Sequence, residues 1–409
     1  MRHKRRGAVL VLTIIVLAAI TAMLALAMSR ERSEFSATVT RIEESKAKIA
    51  AMSGVQRALV ILSTQAPGLA TQLNDWYAEG DTGNTLYRVG NVTFRYQILD
   101  GGQFVNLNTA PEIQLQNLNL TTEQVDSLMD WREPGETPRA EGAKDDYYSN
   151  LTTPYIAKLG RMDSLDELML IRGFDFNTLT VAPTQSNTSG ATPVPLLSIT
   201  TVDSYSPNTT ATGQVKTNIN NASVQQLTQG GVPPQIAAAV FLRRNTGGPF
   251  TSMGDVLRVA GMTNNAAAVL IDNFTVGGQP RSEGKINVNT ASDNVLQTIP
   301  GITSDVAQSI VSRQGAGINA LSELFQVSGF TLQLMQSTVD QLTTGSETFL
   351  VRVEGQAGSA VFPLEAVISV NNNRAHILKV TEPPLRSMHS LWGWQDTTTN
   401  EVVLGDSQP

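Results

Sequence analysis

The chain contains no cysteine, which excludes a disulfide framework, thiolate metal sites and cysteine nucleophiles. It has only three histidines, His3, His376 and His389, far apart in sequence. A histidine-rich metal centre or a Ser–His–Asp triad therefore has little to build on. Positive charge is also scarce: the net charge is −7, which argues against a broad electropositive face for nucleic acid. No phosphate-binding glycine loop, zinc motif or nucleophile elbow occurs. What remains is 409 residues at 41% hydrophobic, enough for two or three folded domains. The composition points to a structural or interaction protein, not an enzyme.

The most informative stretch is the first. Arg2, His3, Lys4, Arg5 and Arg6 precede Gly7, and residues 8–28, AVLVLTIIVLAAITAMLALAM, carry no formal charge. At about 1.5 Å rise per residue that run spans the ~30 Å hydrocarbon core of a bilayer. Cations ahead of it predict a cytoplasmic N-terminus with the rest of the chain outside. A cleavable secretory signal has an apolar region of only about 7–15 residues; a plain signal anchor is the alternative. Residues 29–62 hold no proline, and Phe35, Val39, Ile42, Ile49, Met52 and Leu59 recur at three-, four- or seven-residue steps. That spacing predicts an amphipathic stripe, so one helix is expected from Ala8 to about Ser63, ending before Pro67-Gly68. Its transmembrane half is residues 8–28 and its extramembrane half residues 29–63.

This design resembles a type IV pilin spine behind a short prepilin leader, residues 1–7. The resemblance implies cutting between Gly7 and Ala8 by a prepilin peptidase. The fifth residue after the cut, usually glutamate in pilins, is Leu12. Leucine there avoids the few kcal/mol cost of a charge in lipid. It also lacks the carboxylate that the family pairs with a neighbouring subunit's amine.

Strand signals lie at both ends of the extramembrane region. Residues 85–100 alternate through Tyr87, Val89, Phe94, Tyr96 and Ile98, with a turn at Gly90-Asn91. Residues 347–356, 361–370 and 375–381 alternate likewise, the last two joined through Asn371-Asn372-Asn373. The expected fold class is α+β: a pilin-like long N-terminal transmembrane helix packed on an antiparallel sheet (64–106 and 343–400). A large, mostly helical domain (107–342) is inserted into it.

The insert repeats itself over 105–174, 217–262 and 286–330. Each unit opens with Asn-x-Asn, then alanine and leucine: Asn106/Asn108/Ala110/Leu115, Asn218/Asn220/Ala222/Leu227 and Asn287/Asn289/Ala291/Leu296. A short break leads to a helix ending near Arg132, Arg243 or Arg313. Each unit closes on a glycine eight residues after an apolar residue, as in Leu165 and Gly173, Met253 and Gly261, Leu321 and Gly329. Asparagine is expected to N-cap the first helix, and the late glycine to take a left-handed C-cap. Residues 183–195 (PTQSNTSGATPVP) read as a low-complexity loop, and 133–160 as an insertion in unit one.

Units two and three resemble helix-hairpin-helix modules, most closely those of bacterial competence DNA receptors, through Ile286-Asn287-Val288-Asn289-Thr290-Ala291 and Ile299-Pro300-Gly301-Ile302. In DNA-binding hairpins the turn presents backbone N–H groups to a phosphate, usually through a second glycine, where this chain has Thr303. Unit two carries prolines in its turn and unit one has no glycine there. Loss of Arg2, Lys4, Arg5 and Arg6 with the leader would take the net charge from −7 to −11. Nucleic acid is therefore not the expected partner. A DNA receptor or uptake pilin using Gly301, Arg243 and Arg313 is the alternative.

The remaining motif is DWREPGETPRAEGAKDDYY at 130–148, followed by Pro154-Tyr155 and Leu165-Asp166-Glu167-Leu168. With the spine, the leucine at position 12, the Asn-x-Asn-Thr-Ala segment and the closing strands, it resembles the minor pseudopilin K family of type II secretion systems across nearly the whole chain. The resemblance implies a tip subunit of a periplasmic pseudopilus in the inner membrane. Its partners would be other minor pseudopilins, the major pseudopilin and the prepilin peptidase. It also implies calcium as the candidate cofactor, with Asp130, Glu133, Glu141, Asp145 and Asp146 as oxygen donors. A solvated acidic loop is the equal alternative, and Lys144 departs from the acid expected at its place.

Overall fold

In the computed structural model, residues 4–65, 68–79, 83–184, 190, 192–371, 374–383, 392–394 and 400–404 are described, the side chains of 4–9 and 33 apart. The leader's first three residues, the turn at Asn372-Asn373 and most of the 183–195 loop's apex lie outside them.

One helix runs over Lys4–Leu62, 59 residues; at 1.5 Å per residue it is about 90 Å long. From Leu10 it contains a stretch long and apolar enough to cross a membrane. Large apolar side chains there, Leu12 among them, are exposed. The other end lies on a sheet, through Ala47, Ala50, Ala51, Val55, Ala58 and Leu62, all buried. The stripe read from spacing lies elsewhere. Phe35, Ile42 and Ile49 point outward, and Val39, Met52 and Leu59 are only half-buried. The sheet takes the small-residue face because it lies so close. A Cβ on Gly54 would come within 2.6 Å of Val353 Cγ1, and one on Gly355 within 2.5 Å of the Ala51 nitrogen. Two apolar faces, one small and one large, therefore share the helix.

The sheet has six strands in the order Arg374–Thr381, Ala360–Asn371, Thr348–Ala357, Val92–Asp100, Thr85–Val89, Asn400–Val403. All neighbours are antiparallel except the last, which runs parallel to Thr85–Val89. Phe94, Tyr96, Ile98, Phe349, Val351 and Val353 meet the helix's small residues in one core. The chain leaves the two central strands at Asp100 and returns beside it, with Phe349 paired to Asp100.

The three repeats in between share a second, continuous core. Each goes further than the sequence pattern indicated. After Gly173, Gly261 and Gly329 come helices Phe176–Thr180, Asn264–Asn273 and Leu332–Thr338. A two-residue strand then pairs in parallel with the unit's own opening: Val105 with Thr200, Thr217 with Phe274, Ile286 with Leu342. All three closing glycines are left-handed, with φ of 86°, 83° and 81°. So are the three hairpin turns, where Asn119 (63°) stands in for Gly231 (92°) and Gly301 (94°).

The asparagines do not N-cap. Ser223 and Ser292 cap the first helices of units two and three, and Pro111 holds that place in unit one. The first asparagine's Oδ1 instead accepts the N–H of the second, at 2.9, 2.9 and 3.0 Å. The second then clamps a later segment: Asn108 to the main chain of Met162, Asn220 to Phe250, Asn289 to Ile318, each donating and accepting. A polar side chain at the end of the second helix donates back to two opening carbonyls. Arg132 reaches Leu107 and Ala110, Arg244 reaches Ile219 and Ala222, and Gln314 reaches Val288 and Ala291.

Candidate functional site

Among the described side chains of residues 10–28 only the Thr13 and Thr21 hydroxyls are polar, and both donate to main-chain carbonyls of their own helix. Gly7 and Ala8 lie in continuous helix, and Leu12 presents a hydrocarbon side chain outward.

The 133–160 insertion is built around aromatic residues of the Asp-Trp and acidic-Tyr motifs. Trp131, Tyr148 and Tyr155 pack ring to ring, with centroids 5.3–6.5 Å apart, and Ala143 is buried among the same core residues. The Trp131 indole N–H donates to Glu167 Oε2 at 3.3 Å, so the Leu-Asp-Glu-Leu motif closes this loop. Burial pushes the Tyr148 hydroxyl up to about 12, against the Arg172 N–H that donates to it.

The five carboxylates proposed for calcium do not converge; among the described residues no group of three or more His, Cys, Asp or Glu could hold a metal. Asp130 is buried, and its Oδ2 accepts the Arg139 N–H at 2.9 Å. Gly142 lies so close that a Cβ there would collide with this carboxylate. Glu133 and Glu112 each pair with Arg139 at 3.1 Å. Asp145 Oδ1 accepts from Ala157 N at 2.7 Å, while Glu141 and Asp146 are exposed. At the centre stands Lys144, 5% exposed. Its ammonium donates to the carbonyls of Asp130 (2.6 Å) and Glu133 (2.7 Å) and lies 4.0 Å from Asp130 Oδ1. Calcium takes six to eight oxygens at 2.3–2.6 Å, and a cation already sits at the focus of the oxygens present. The donor set does not fit calcium. Burial raises the Asp130 carboxyl above its usual range, opposed by the Arg139 N–H and by Lys144.

The hairpin turns of units two and three rest against Val269 and Leu334 on one side, while Gly231 and Gly301 themselves stay exposed. Beyond Gly301 lies Leu334, 3.2 Å from where a Cβ would be, and Gly190 of the 183–195 loop approaches Ser304 at the start of the next helix. Arg243 donates to Gly248 O and covers the Phe250 ring at 5.1 Å. Arg313 reaches Gln326, and Arg258 pairs with Asp255. Units two and three also exchange caps. Asp340 accepts the N–H groups of Met253 and Gly254 at 2.8 and 2.9 Å, and Asp272 accepts from Ser322.

Two features escaped the sequence reading. Asp100, fully buried, accepts from Gly102 N (2.7 Å), Asn287 Nδ2 (2.7 Å) and Thr290 Oγ1 (2.6 Å). Asn287 donates as well to Ala70 O at 2.8 Å. This network bolts the sheet to unit three. Burial raises the Asp100 carboxyl, and these donors oppose the rise. The second feature is a cleft of about 780 Å³ between units two and three, lined by Lys216 and Lys285. These lysines stand just ahead of equivalent opening strands. Burial, then the neighbouring Lys285 charge, lowers Lys216 to about 8.

The family model for type II secretion system (T2SS) protein K matches residues 111–183, the span holding the Asp130–Lys144 cluster. The helix-hairpin-helix motif model matches residues 212–275 and 281–343. The type II secretion system protein K of Pectobacterium carotovorum subsp. carotovorum is 25% identical over 201 residues, 43% of this chain and 60% of that protein's length. A crystal structure of the GspK-GspI-GspJ complex from the enterotoxigenic Escherichia coli type 2 secretion system is similar at a TM-score of 0.44 and 14% identity, over 87% of this chain and 100% of that chain. The chain thus resembles the type II secretion system protein K family over residues 111–183, and it spans 60% of the length of the Pectobacterium protein K it matches.

Proposed function

We propose that the chain is a minor pseudopilin, a tip subunit that nucleates and caps the periplasmic pseudopilus of a type II secretion system. One observation carries the reading. The Lys4–Leu62 helix commits its small-residue face to its own sheet and leaves a large apolar face, Phe35, Ile42, Ile49 and Val60, uncovered. Neighbouring spines would cover that face, in lipid first and then in the filament. The insert is larger than the sheet domain carrying it, which leaves little room for a further subunit above. Leu12 offers no carboxylate for docking onto a subunit in front of it, in keeping with a first position. In this reading the leader is cut between Gly7 and Ala8, the helix crosses the inner membrane once, and the head is periplasmic. Its partners are the other minor pseudopilins and the major pseudopilin.

The absence of cysteine makes the test clean. Single cysteines at Ile42 or Ile49, expressed with the other pseudopilins, should cross-link to their spines, whereas a cysteine at the buried Ala51 should not. Deleting 107–342 with a short turn in its place should alter filament number or length and leave membrane insertion intact. Unchanged assembly would contradict the tip role. Mass measurement after co-expression with a prepilin peptidase should show loss of seven residues.

A further inference from the structure

We infer that the 133–160 loop is closed by its own cation, the Lys144 ammonium, in a position that excludes a divalent ion, so that the head folds without metal. This stands on geometry alone and is independent of the tip assignment.

Two main-chain carbonyls, of Asp130 and Glu133, converge on the Lys144 nitrogen at 2.6 and 2.7 Å, with the Asp130 carboxylate 4.0 Å away. The carbonyls come from the end of the Thr122–Arg132 helix and the residue following it, where carbonyls lack intrahelical partners and a cation is favoured. Lys144 is 5% exposed and the Asp130 carboxylate 4%. A charge buried that deeply persists only when paired and hydrogen-bonded, and both partners are present. The lysine is tethered: it immediately precedes the Asp145–Tyr148 turn, which carries Tyr148 into the aromatic core. Arg139 completes the neutralisation from the other side, bridging Glu112 and Glu133 while its N–H holds Asp130. Of the five acids, Asp130 and Glu133 are thus held by these cations and by the Arg139 N–H, and Asp145 by the Ala157 N–H. Strongly hydrated calcium would have to expel an ammonium that costs no association entropy, because it belongs to the chain.

The full chain in detergent micelles allows the test, with amide hydrogen exchange read over residues 130–160. The wild type should show the same protection in millimolar calcium as in excess EDTA; protection that drops in EDTA overturns the inference. Lys144→Met keeps the length and removes the charge. Exchange across the loop should accelerate at least roughly tenfold, as expected for losing charge-assisted hydrogen bonds, and calcium should not restore it. Protection retained in Lys144→Met overturns the inference. Lys144→Glu places oxygens where the ammonium stood, and its loop should be protected in calcium and unprotected in EDTA. Protection in EDTA would show that no cation is needed there, which again overturns it. If either variant fails to fold, the wild-type comparison decides alone.

Discussion

Asp100 and Asp130 are both buried aspartates, both pushed above the usual carboxylate range by burial, and they are held in opposite ways. Asp100 takes its donors from neutral groups, two of them on Asn287 and Thr290 nearly two hundred residues away. Asp130 takes one main-chain N–H, from Arg139, and has the charges of Arg139 and Lys144 each 4.0 Å away, all within fifteen residues. The distant junction relies on directional hydrogen bonds, which fix how unit three sits on the sheet. The local loop relies on charge, which tolerates looser geometry and needs only a nearby chain to supply it. Orientation of the head therefore depends on Asp100, and Asp130 governs one loop.

The comparison breaks most sharply at Asp100. Asp100→Ala leaves three buried donors without an acceptor, and a loss of about 3 kcal/mol or more is expected, measured as the unfolding midpoint of the full chain by tryptophan fluorescence. Asn287→Ala removes the bonds to Asp100 and to Ala70 O and should cost about 2–3 kcal/mol. Its counterpart Asn218→Ala, in a unit far from the sheet, removes the turn bond to Asn220 N and should cost about 1 kcal/mol. Equal losses in the two variants would show that the junction adds nothing to the turn.

A third buried charge sharpens the contrast, because Lys216 has no carboxylate within ion-pair distance among the described residues. Its value falls from 10.5 to about 8 in the folded chain. Below that pH both states are protonated and the cost of burying the ammonium is fully present. Between about 8 and 10.5 the unfolded chain holds more protons, so stability should rise with pH. The gain should reach roughly 3 kcal/mol and be absent in Lys216→Met. Urea unfolding at the two ends of that window, compared between the variants, measures it. The smallest expected effect is on nucleic acid. With Arg243 and Arg313 already engaged within the head, duplex DNA titrated onto the full chain at moderate salt should give no saturable binding, and Arg243→Ala with Arg313→Ala should change nothing.

Much of this was legible because it rests on local chemistry. The spine followed from an uninterrupted apolar run, five sheet strands from period-two alternation, and the repeats from Asn-x-Asn and glycine spacing. The illegible parts depend on what lies opposite in space. Spacing marked Phe35, Ile42 and Ile49 as a stripe but could not say that the sheet would choose the alanines. The Asn400–Val403 strand, exposed throughout, has no inward face to write alternation into its sequence. The asparagines looked like caps because that is their commonest local role, and their clamping partners lie 29 to 54 residues away. Lys144 did stand out as a base among acids. Only the carbonyls around it show that it is the centre of the loop.

Because the Asp100 and Phe349 backbones are neighbours across one strand pair, the inserted residues begin and end at nearly the same point. A crown attached that way can be enlarged, trimmed or exchanged without changing the register of the strands beneath it or the rod they clasp. Lineages could thus retailor the head while leaving the platform that carries it alone.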